Sequence, residues 1–152
     1  MTVLSFYSGY LPGEKYGGPV SSLYNFAELL GGDTDVYIVC SNHDLDEKTP
    51  YPDISAGWNQ VGKAKVKYIS DDEMVFFVYN RIIGEVKPDI IYMGHKHTNA
   101  MLTSYDTKVI QAGCLSGGAD EYCMDKRLRN KAEQIISVIT EDGLDCLYDV
   151  KF

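Results

Sequence analysis

In the first half of the chain, apolar residues occur in short unbroken runs that are separated by a segment of helical spacing. Residues 2–7 and 36–40 are unbroken β-prone runs, typical of strands buried on both faces of a sheet. Between them, apolar residues recur with helical spacing from Val20 to Leu30, which predicts a helix that begins at Pro19 and ends at Gly31. This strand–helix–strand order predicts an α/β fold with a parallel sheet.

The next segment, residues 41–62, is polar and rich in turn residues, and we expect it to be a long functional or mobile connection. Residues 63–69 alternate apolar and basic positions, as a half-exposed strand does. The sequence Ser70-Asp71-Asp72-Glu73 fits a capping box and predicts a helix over residues 74–86. Lys87-Pro88 ends that helix, and residues 89–93 are predicted to form a fourth strand.

The pattern changes after residue 94. Short β-prone runs cover residues 101–105 and 108–112, and a Gly/Asp-containing loop follows them. Asp142-Gly143 then separates two apolar runs, residues 131–140 and 144–150, which is typical of a hairpin.

Together these elements predict a single α/β domain over residues 1–152. Its central sheet is mixed and mainly parallel, is flanked by helices, and ends in antiparallel strands or a hairpin. We expect the C-terminal strands to extend this sheet and not to form a second small one, because 152 residues provide little material for two cores.

The charge balance excludes two classes of partner. The chain has 14 basic and 22 acidic residues, a formal charge of −8 and a pI near 4.7, whereas nucleic acids and anionic membranes require basic patches. No apolar run reaches the ~20 residues that span a bilayer, and no signal peptide is recognisable, so a soluble cytoplasmic protein is expected. Composition leaves the oligomeric state open.

Four cysteines are scattered along the chain without a Cys-x-x-Cys pair: Cys40, Cys114, Cys123 and Cys146. Because Cys40 lies in an apolar run and no secretion signal is recognisable, we expect free and mostly buried thiols.

Histidines mark the most specific local feature, Gly94-His95-Lys96-His97 at the end of the fourth predicted strand. Residues at i and i+2 of an extended segment point to the same side, so both imidazoles can approach one metal ion, zinc or manganese. Two histidines fall short of the three or four ligands of usual zinc sites. The alternative is a surface histidine pair beside a lysine.

Further candidate metal ligands, His43 and Asp44, follow the second predicted strand. The carboxyl ends of parallel strands are where sites in open sheets collect, which supports a ligand role for both. Histidine, asparagine and aspartate are also common turn residues, and an ordinary turn is the alternative.

A glycine-rich loop between the first strand and the first helix ends in Gly17-Gly18. Free backbone N–H groups at such a position can bind a phosphate, so a small phosphate-containing ligand is a candidate partner. The following Pro19-Val20 excludes a Walker A loop, and Gly-x-Gly-x-x-Gly is absent. The alternative is a tight strand–helix turn.

Residues 1 to about 92 resemble the N-terminal Rossmann-like domain of GT-B glycosyltransferases, which use nucleotide sugars. The resemblance rests on Tyr16-Gly17-Gly18-Pro19, Ser41-Asn42-His43-Asp44-Leu45-Asp46 and Lys87-Pro88-Asp89-Ile90-Ile91-Tyr92. It implies that Gly17 and Gly18 lie near a donor diphosphate. The donor-binding C-terminal domain of that family has no counterpart in these 152 residues, so transferase activity is not expected.

Residues from about 89 to 152 resemble the C-terminal part of calcineurin-like metallophosphoesterases of the type that phages encode. The matching motifs are Gly94-His95-Lys96-His97, Val109-Ile110-Gln111-Ala112-Gly113-Cys114 and Asp120-Glu121-Tyr122. The resemblance implies that His95 and His97 are ligands of a two-metal site that polarises a phosphoryl group. The family's Asp-x-His and Gly-Asp-x-x-Asp motifs, which supply the other ligands, do not occur here.

Our interpretation is a chimeric α/β domain, engineered or recombined, that joins a glycosyltransferase-like part (residues 1–88) to a metallophosphoesterase-like part (residues 89–152). It has no complete active site, and its residual chemistry is metal binding at the Gly-His-Lys-His motif. One alternative is a metal-dependent phosphoesterase with a reduced site. The other is a non-catalytic module that binds a nucleotide or sugar phosphate.

Overall fold

The computed structural model describes residues 1–94, 99–112, 132–140 and 142–151. The chain divides into two compact units, Met1–Pro88 and Asp89–Phe152, which we call the first and second unit. His95 and His97 lie outside the described residues, as does the loop that the sequence predicts after residue 112.

The first unit contains four strands and two helices. In chain order they are β1 (Thr2–Phe6), α1 (Gly18–Leu30), β2 (Asp35–Ser41), β3 (Trp58–Val61), β4 (Ala64–Ile69) and α2 (Phe76–Val86), with a 3-10 turn at Asp71–Glu73. The strands are ordered β3-β4-β2-β1. β1 and β4 both pair with β2 in parallel, and β3 pairs with β4 antiparallel.

Both faces of this sheet are covered, because alternate side chains of β2 point to opposite sides. Val36 and Ile38 pack with Val20 and Ala27 of α1 in the main hydrophobic cluster. On the other face, Tyr37 meets Trp58 edge to face, with ring centroids 4.9 Å apart.

Helix α2 lies on this second face. The indole Nε1 of Trp58 donates a hydrogen bond to Glu85 of α2 (2.7 Å), and Tyr79 of α2 packs against Phe6 of β1. The unbroken apolar runs of β1 and β2 are therefore explained by burial on both sides.

Helix α1 confirms the prediction from its spacing, its proline and its glycine stop. Pro19 stands in its first turn, and the amide of Gly31 donates to the carbonyl of Ala27 to close the last turn.

The predicted start of the second helix was wrong by two residues. The Glu73 carboxylate does accept from the backbone N–H and the hydroxyl of Ser70, but this contact closes a separate 3-10 turn. The chain becomes extended again at Val75, and α2 begins at Phe76. Val75 is β-branched and cannot cap with its own side chain, which separates the turn from the helix.

The predicted connection over residues 41–62 was also wrong in its last part, because residues 58–61 form β3. Two polar residues, Asn59 and Gln60, hide this strand in the sequence pattern. Its position follows from pairing with β4 across a turn in which Gly62 has a φ of 56°.

The described residues of the second unit form five strands: β5 (Ile90–Met93), β6 (Ala100–Ser104), β7 (Thr107–Gln111), β8 (Glu133–Thr140) and β9 (Gly143–Lys151). β7 pairs in parallel with β5 and antiparallel with β6. β8 and β9 form the predicted Asp-Gly hairpin. Contrary to our expectation, this hairpin is a two-stranded sheet of its own.

Polar contacts join the hairpin to other residues of its unit. The hydroxyls of Tyr92 and Ser137 are 2.6 Å apart, and the Asn99 side chain donates to Asp149 (2.7 Å).

The predicted fold class is confirmed: the chain is α/β, with mainly parallel pairing, flanking helices and a closing antiparallel hairpin. Cys40 is buried and Cys146 half-buried, both as free thiols, whereas Cys114 and Cys123 lie outside the described residues. Neither α1 nor α2 combines the length and the apolar character needed to span a bilayer.

Candidate functional site

The carboxyl ends of β1, β2 and β4 meet at one edge of the first unit, because these strands run parallel. Three connections leave this edge: residues 7–17 before α1, residues 42–57 after β2 and residues 70–75 before α2. Open parallel sheets place ligand sites at such edges. Among the predicted site residues, Gly17, His43 and Asp44 lie on these connections, and Gly18 is the first residue of α1.

Asp44 fixes the connection after β2 to the connection after β1. Its carboxylate accepts backbone N–H groups from Glu14 (3.0 Å), Lys15 (3.2 Å) and Leu45 (2.8 Å), and the residue is only 9% exposed. Burial alone raises the pKa of this carboxyl, but the three N–H donors outweigh it and hold the pKa below its usual range. Asp44 is therefore an anion whose oxygens are occupied by loop amides.

A second contact joins the same two connections at the surface. The Lys15 ammonium lies 2.6 Å from Glu47, and both side chains are about half exposed. Exposed pairs of this kind contribute little to stability, so Asp44 is the more important link.

The His43 side chain makes contacts different from those of Asp44. Its Nδ1 lies 2.9 Å from the backbone carbonyl of Asp44, and its Nε2 lies 3.0 Å from Oδ1 of Asp71. A carbonyl and an ionised carboxylate only accept hydrogen bonds, so both contacts require protonated ring nitrogens. The geometry thus favours the imidazolium, and the pKa of His43 is raised, first by the hydrogen bond to the Asp44 carbonyl and then by Asp71.

This arrangement has a consequence for metal binding. A histidine coordinates a metal through a nitrogen lone pair, and an imidazolium has none. His43 must therefore lose a proton and one of its two hydrogen bonds before it can act as a ligand. Its predicted ligand role, like that of Asp44, stays a prediction.

Gly17 and Gly18 form the start of α1. Gly17 has φ 68° and ψ −145°, a conformation essentially restricted to glycine, and the first turn carries no acidic residue. Apart from the neighbouring residues of the chain and the backbone of the helix itself, no atom lies within 4 Å of where a Cβ would stand on either glycine. The start of the helix is thus open and its first turn has no acidic residue, which suits a phosphate ligand.

The histidines of the Gly-His-Lys-His motif follow β5 directly. Gly94 comes immediately after Met93, the last residue of β5, and Met93 pairs with Gln111 of the parallel strand β7. Within the described ranges, no three His, Cys, Asp or Glu side chains group as a metal site. His95 and His97 are not among those residues, and neither are Cys114, Asp120 and Cys123.

Sequence reasoning missed two features of this edge. Asp71 was assigned only to a helix cap, yet it contacts His43. A pocket of about 420 Å³ also lies here, with Lys67 and Arg81 in its wall. Neither has a sequence signal, because these side chains come together only when β4, α2 and the connection after β2 pack.

No protein-family model and no curated protein sequence matches the chain. Among solved structures, it is similar to a predicted phosphoesterase from Streptococcus pneumoniae, with 14% identity over 95% of this chain and 82% of the other, and a TM-score of 0.34. Vps29 from Entamoeba histolytica in complex with Zn²⁺ is 10% identical over 99% and 96% of the two chains, with a TM-score of 0.35.

A third structure, a single mutant of the same Vps29, is 9% identical over 99% and 98% of the two chains, with a TM-score of 0.35. With all three TM-scores below 0.5, the fold assignment rests on the strand pairing of this chain itself. The resemblance of residues 1 to about 92 to GT-B glycosyltransferases stays a prediction from sequence.

Proposed function

We propose that this chain binds a divalent cation, zinc or manganese, through His95 and His97 of its phosphoesterase-like part. The observation that carries the proposal is the position of the motif: it starts one residue after the carboxyl end of β5, a strand in parallel pairing with β7. Ligand sites of α/β proteins collect at the carboxyl ends of such strands. Imidazole nitrogen suits both metals.

The same proposal limits the chemistry. A bound cation would supply Lewis-acid polarisation of a phosphate ester. Two imidazoles do not complete a catalytic ligand set, and the motifs that provide the bridging carboxylate in metallophosphoesterases are missing from the sequence. We therefore propose cation binding as the primary property and phosphodiester hydrolysis as a reduced activity that depends on it. That the two parts of the chain come from different enzyme families remains part of the proposal.

Calorimetric titration of the metal-stripped protein, first with zinc and then with manganese, tests cation binding. We expect binding in the parent and its loss in the His95→Ala/His97→Ala double variant. Lys96→Ala is the matched control, because it changes the same motif without removing an imidazole. Equal affinities of the parent and the double variant would refute the proposal.

Hydrolysis is tested separately with a generic aryl phosphodiester and added manganese. The expected result is slow turnover that requires the metal and disappears in the His95→Ala/His97→Ala variant. Cation binding without metal-dependent turnover would leave a metal-binding domain and eliminate the phosphoesterase activity.

A second candidate function is the binding of a nucleotide or sugar phosphate at Gly17-Gly18. It is favoured by the open start of α1, where the first turn has no acidic residue and, apart from chain neighbours and the helix backbone, neither glycine has an atom within 4 Å of the position that a Cβ would take. Uridine diphosphate is a suitable probe. Gly18→Val should abolish its binding, whereas Gly32→Val, equally open but at the opposite end of α1, should not.

The absence of uridine diphosphate binding to the parent protein would rule out this second function. Binding that survives Gly18→Val would place the ligand elsewhere.

A further inference from the structure

A pocket of about 420 Å³ opens beside the carboxyl end of β4, within the first unit. Its wall contains three charged residues, Lys67, Glu73 and Arg81. The other lining residues are Asn42, Pro50, Tyr51, Ile54, Ser55, Ala56, Tyr68 and Ile69. This volume is in the range of small-molecule sites. The pocket includes none of the residues assigned above to metal or phosphate binding.

Lys67 is held in the wall by contacts on two sides. Its ammonium lies 3.6 Å from Oε2 of Glu85 and 5.2 Å from the centroid of the Trp58 ring, and its side chain is 16% exposed. Glu85 contacts both Lys67 and Trp58, because its other oxygen, Oε1, accepts a hydrogen bond from the Trp58 indole N–H at 2.7 Å. The ammonium is therefore fixed in position, with part of its counter-charge used by the indole.

The carboxylate of the wall, Glu73, points toward Ser70, at the start of the 3-10 turn that contains Glu73. Its Oε2 accepts the Ser70 backbone N–H at 3.0 Å and the Ser70 hydroxyl at 3.1 Å. Arg81 lies close enough to Glu73 and Glu85 for its charge to help lower the pKa of both carboxyls, but no hydrogen bond joins it to either of them in the described part of the chain. Glu85 balances Lys67 from outside the wall, so the anion would be bound by the N–H donors of the guanidinium and not by a net positive charge.

Apart from Asn42 and Ser55, the rest of the wall consists of aromatic and aliphatic residues that are already in place. The rings of Tyr51 and Tyr68 lie edge to face, with centroids 6.0 Å apart. Backbone hydrogen bonds from Tyr51 to the Asn42 carbonyl (2.7 Å) and from Asn42 to the Ile69 carbonyl (2.9 Å) tie the connection after β2 to β4. A pocket that needs no ordering on binding loses less affinity to conformational entropy.

We propose that this pocket binds a small organic oxyanion, a carboxylate or a phosphate attached to a ring or a short apolar body. Arg81 and Lys67 bind the oxyanion, and the guanidinium offers the two parallel donors that suit either group. Tyr51 and Ile54 contact the apolar body.

The test is a titration of the metal-free protein with phenyl phosphate, benzoate and the neutral benzyl alcohol, followed by amide chemical shifts. We expect one or both anions to shift the amides of Asn42, Ser55 and Ile69, and benzyl alcohol to bind at least about tenfold more weakly. The two anions distinguish a phosphate from a carboxylate as the natural group. Chelator in the buffer makes the result independent of metal binding at His95 and His97.

Arg81→Gln should weaken anion binding by about tenfold. Lys48→Gln removes the same charge from an exposed position outside the pocket and should leave the affinity unchanged. Lys67→Met provides a second loss of charge within the wall, and melting curves of all three variants confirm that they fold.

Three results would overturn the proposal: equal affinities of the parent and Arg81→Gln, equal binding of benzyl alcohol and the anions, or no binding at millimolar concentration. Shifts restricted to Gly17, Gly18 and Val20 would also overturn it, because they would assign the anion to the start of α1.

Discussion

The protonation of His43 depends on two oxygen atoms, the backbone carbonyl of Asp44 and the carboxylate of Asp71. Both favour the imidazolium, so the pKa of His43 is raised in the folded protein, with the Asp44 carbonyl as the larger cause. We predict that Asp71→Asn lowers this pKa without abolishing the rise. Titration of the His43 ring by NMR measures it, with Asp72→Asn as the control.

The same contact makes stability depend on pH. The pKa of His43 is raised on folding, so the protonated ring stabilises the folded state. This stabilisation is fully present below the unfolded pKa of about 6.5 and is lost as the pH rises through the folded pKa. The difference in unfolding free energy between the parent and Asp71→Asn should therefore be larger near pH 6 than near pH 9. A difference that increases with pH would contradict the imidazolium assignment.

Two adjacent glycines at the start of α1 allow a direct comparison of backbone strain and open space. Gly17 has a positive φ of 68°, whereas Gly18 does not, and both have room for a Cβ. We predict that Gly17→Ala lowers the free energy of unfolding by about 1–3 kcal/mol, the cost of a strained backbone conformation. Gly18→Ala should change it far less. Urea unfolding of both variants measures the difference, and equal losses would refute this explanation.

At the scale of the element, the turn before α2 depends on the Glu73 carboxylate, which accepts two hydrogen bonds from Ser70. We predict that Glu73→Ala lowers the free energy of unfolding by about 0.5–1 kcal/mol, a small value because the side chain is exposed. Asp72→Ala, in the same turn, is the control. An unchanged Glu73→Ala would show that the turn forms without this contact.

The loss of unfolding free energy in Glu73→Ala should also disappear at acidic pH. Hydrogen bonds from Ser70 hold the pKa of Glu73 below its usual range, so the stabilisation is present above the unfolded value of about 4.5. It disappears as the pH falls through the folded value, and urea unfolding at two pH values measures this.

The elements that the sequence predicted correctly are those whose signals are local. Helix α1 has its own proline start and glycine stop, β1 is a β-prone run, and β2 and β5 contain unbroken apolar runs. The two errors in the first unit arose where tertiary contacts decide. β3 owes its position to pairing with β4, and the break at Val75 separates a turn from a helix that the pattern joins.

At the scale of the whole molecule, buried apolar residues are unequally distributed. Of the described residues, 14 in the first unit and three in the second, Ile90, Ile91 and Ile110, are buried hydrophobics. The single tryptophan, Trp58, belongs to the first unit, so its fluorescence reports on that unit alone.

We predict that urea unfolding followed by Trp58 fluorescence has a higher midpoint than unfolding followed by far-UV circular dichroism, which reports on both units. The reason is that the described residues of the first unit bury more apolar side chains than the described residues of the second. Coincident transitions would show instead that the two units unfold as one cooperative structure.

The candidate site was less predictable from sequence than the fold. Sequence reasoning named His43 and Asp44 as candidates, and their ligand role stays a prediction. A one-dimensional pattern does not indicate that His43 contacts Asp71 or that Asp44 accepts from the amides of Glu14 and Lys15. The pocket at Lys67 and Arg81 has no signal in the sequence at all. Its residues belong to an alternating strand and to an ordinary helix, and only packing brings them together.

The burial of Cys40 makes the rate of thiol labelling a measure of how often the first unit opens. The residue is 1% exposed in β2, and burial raises the pKa of its thiol. Alkylating reagents react with the thiolate, so labelling of Cys40 must wait for a spontaneous opening of the first unit. Cys146 is only half-buried in the hairpin, so it can be labelled without such an opening and serves as the fast reference in the same tube. Peptide mass spectrometry of one labelling series therefore measures how often the first unit opens under native conditions.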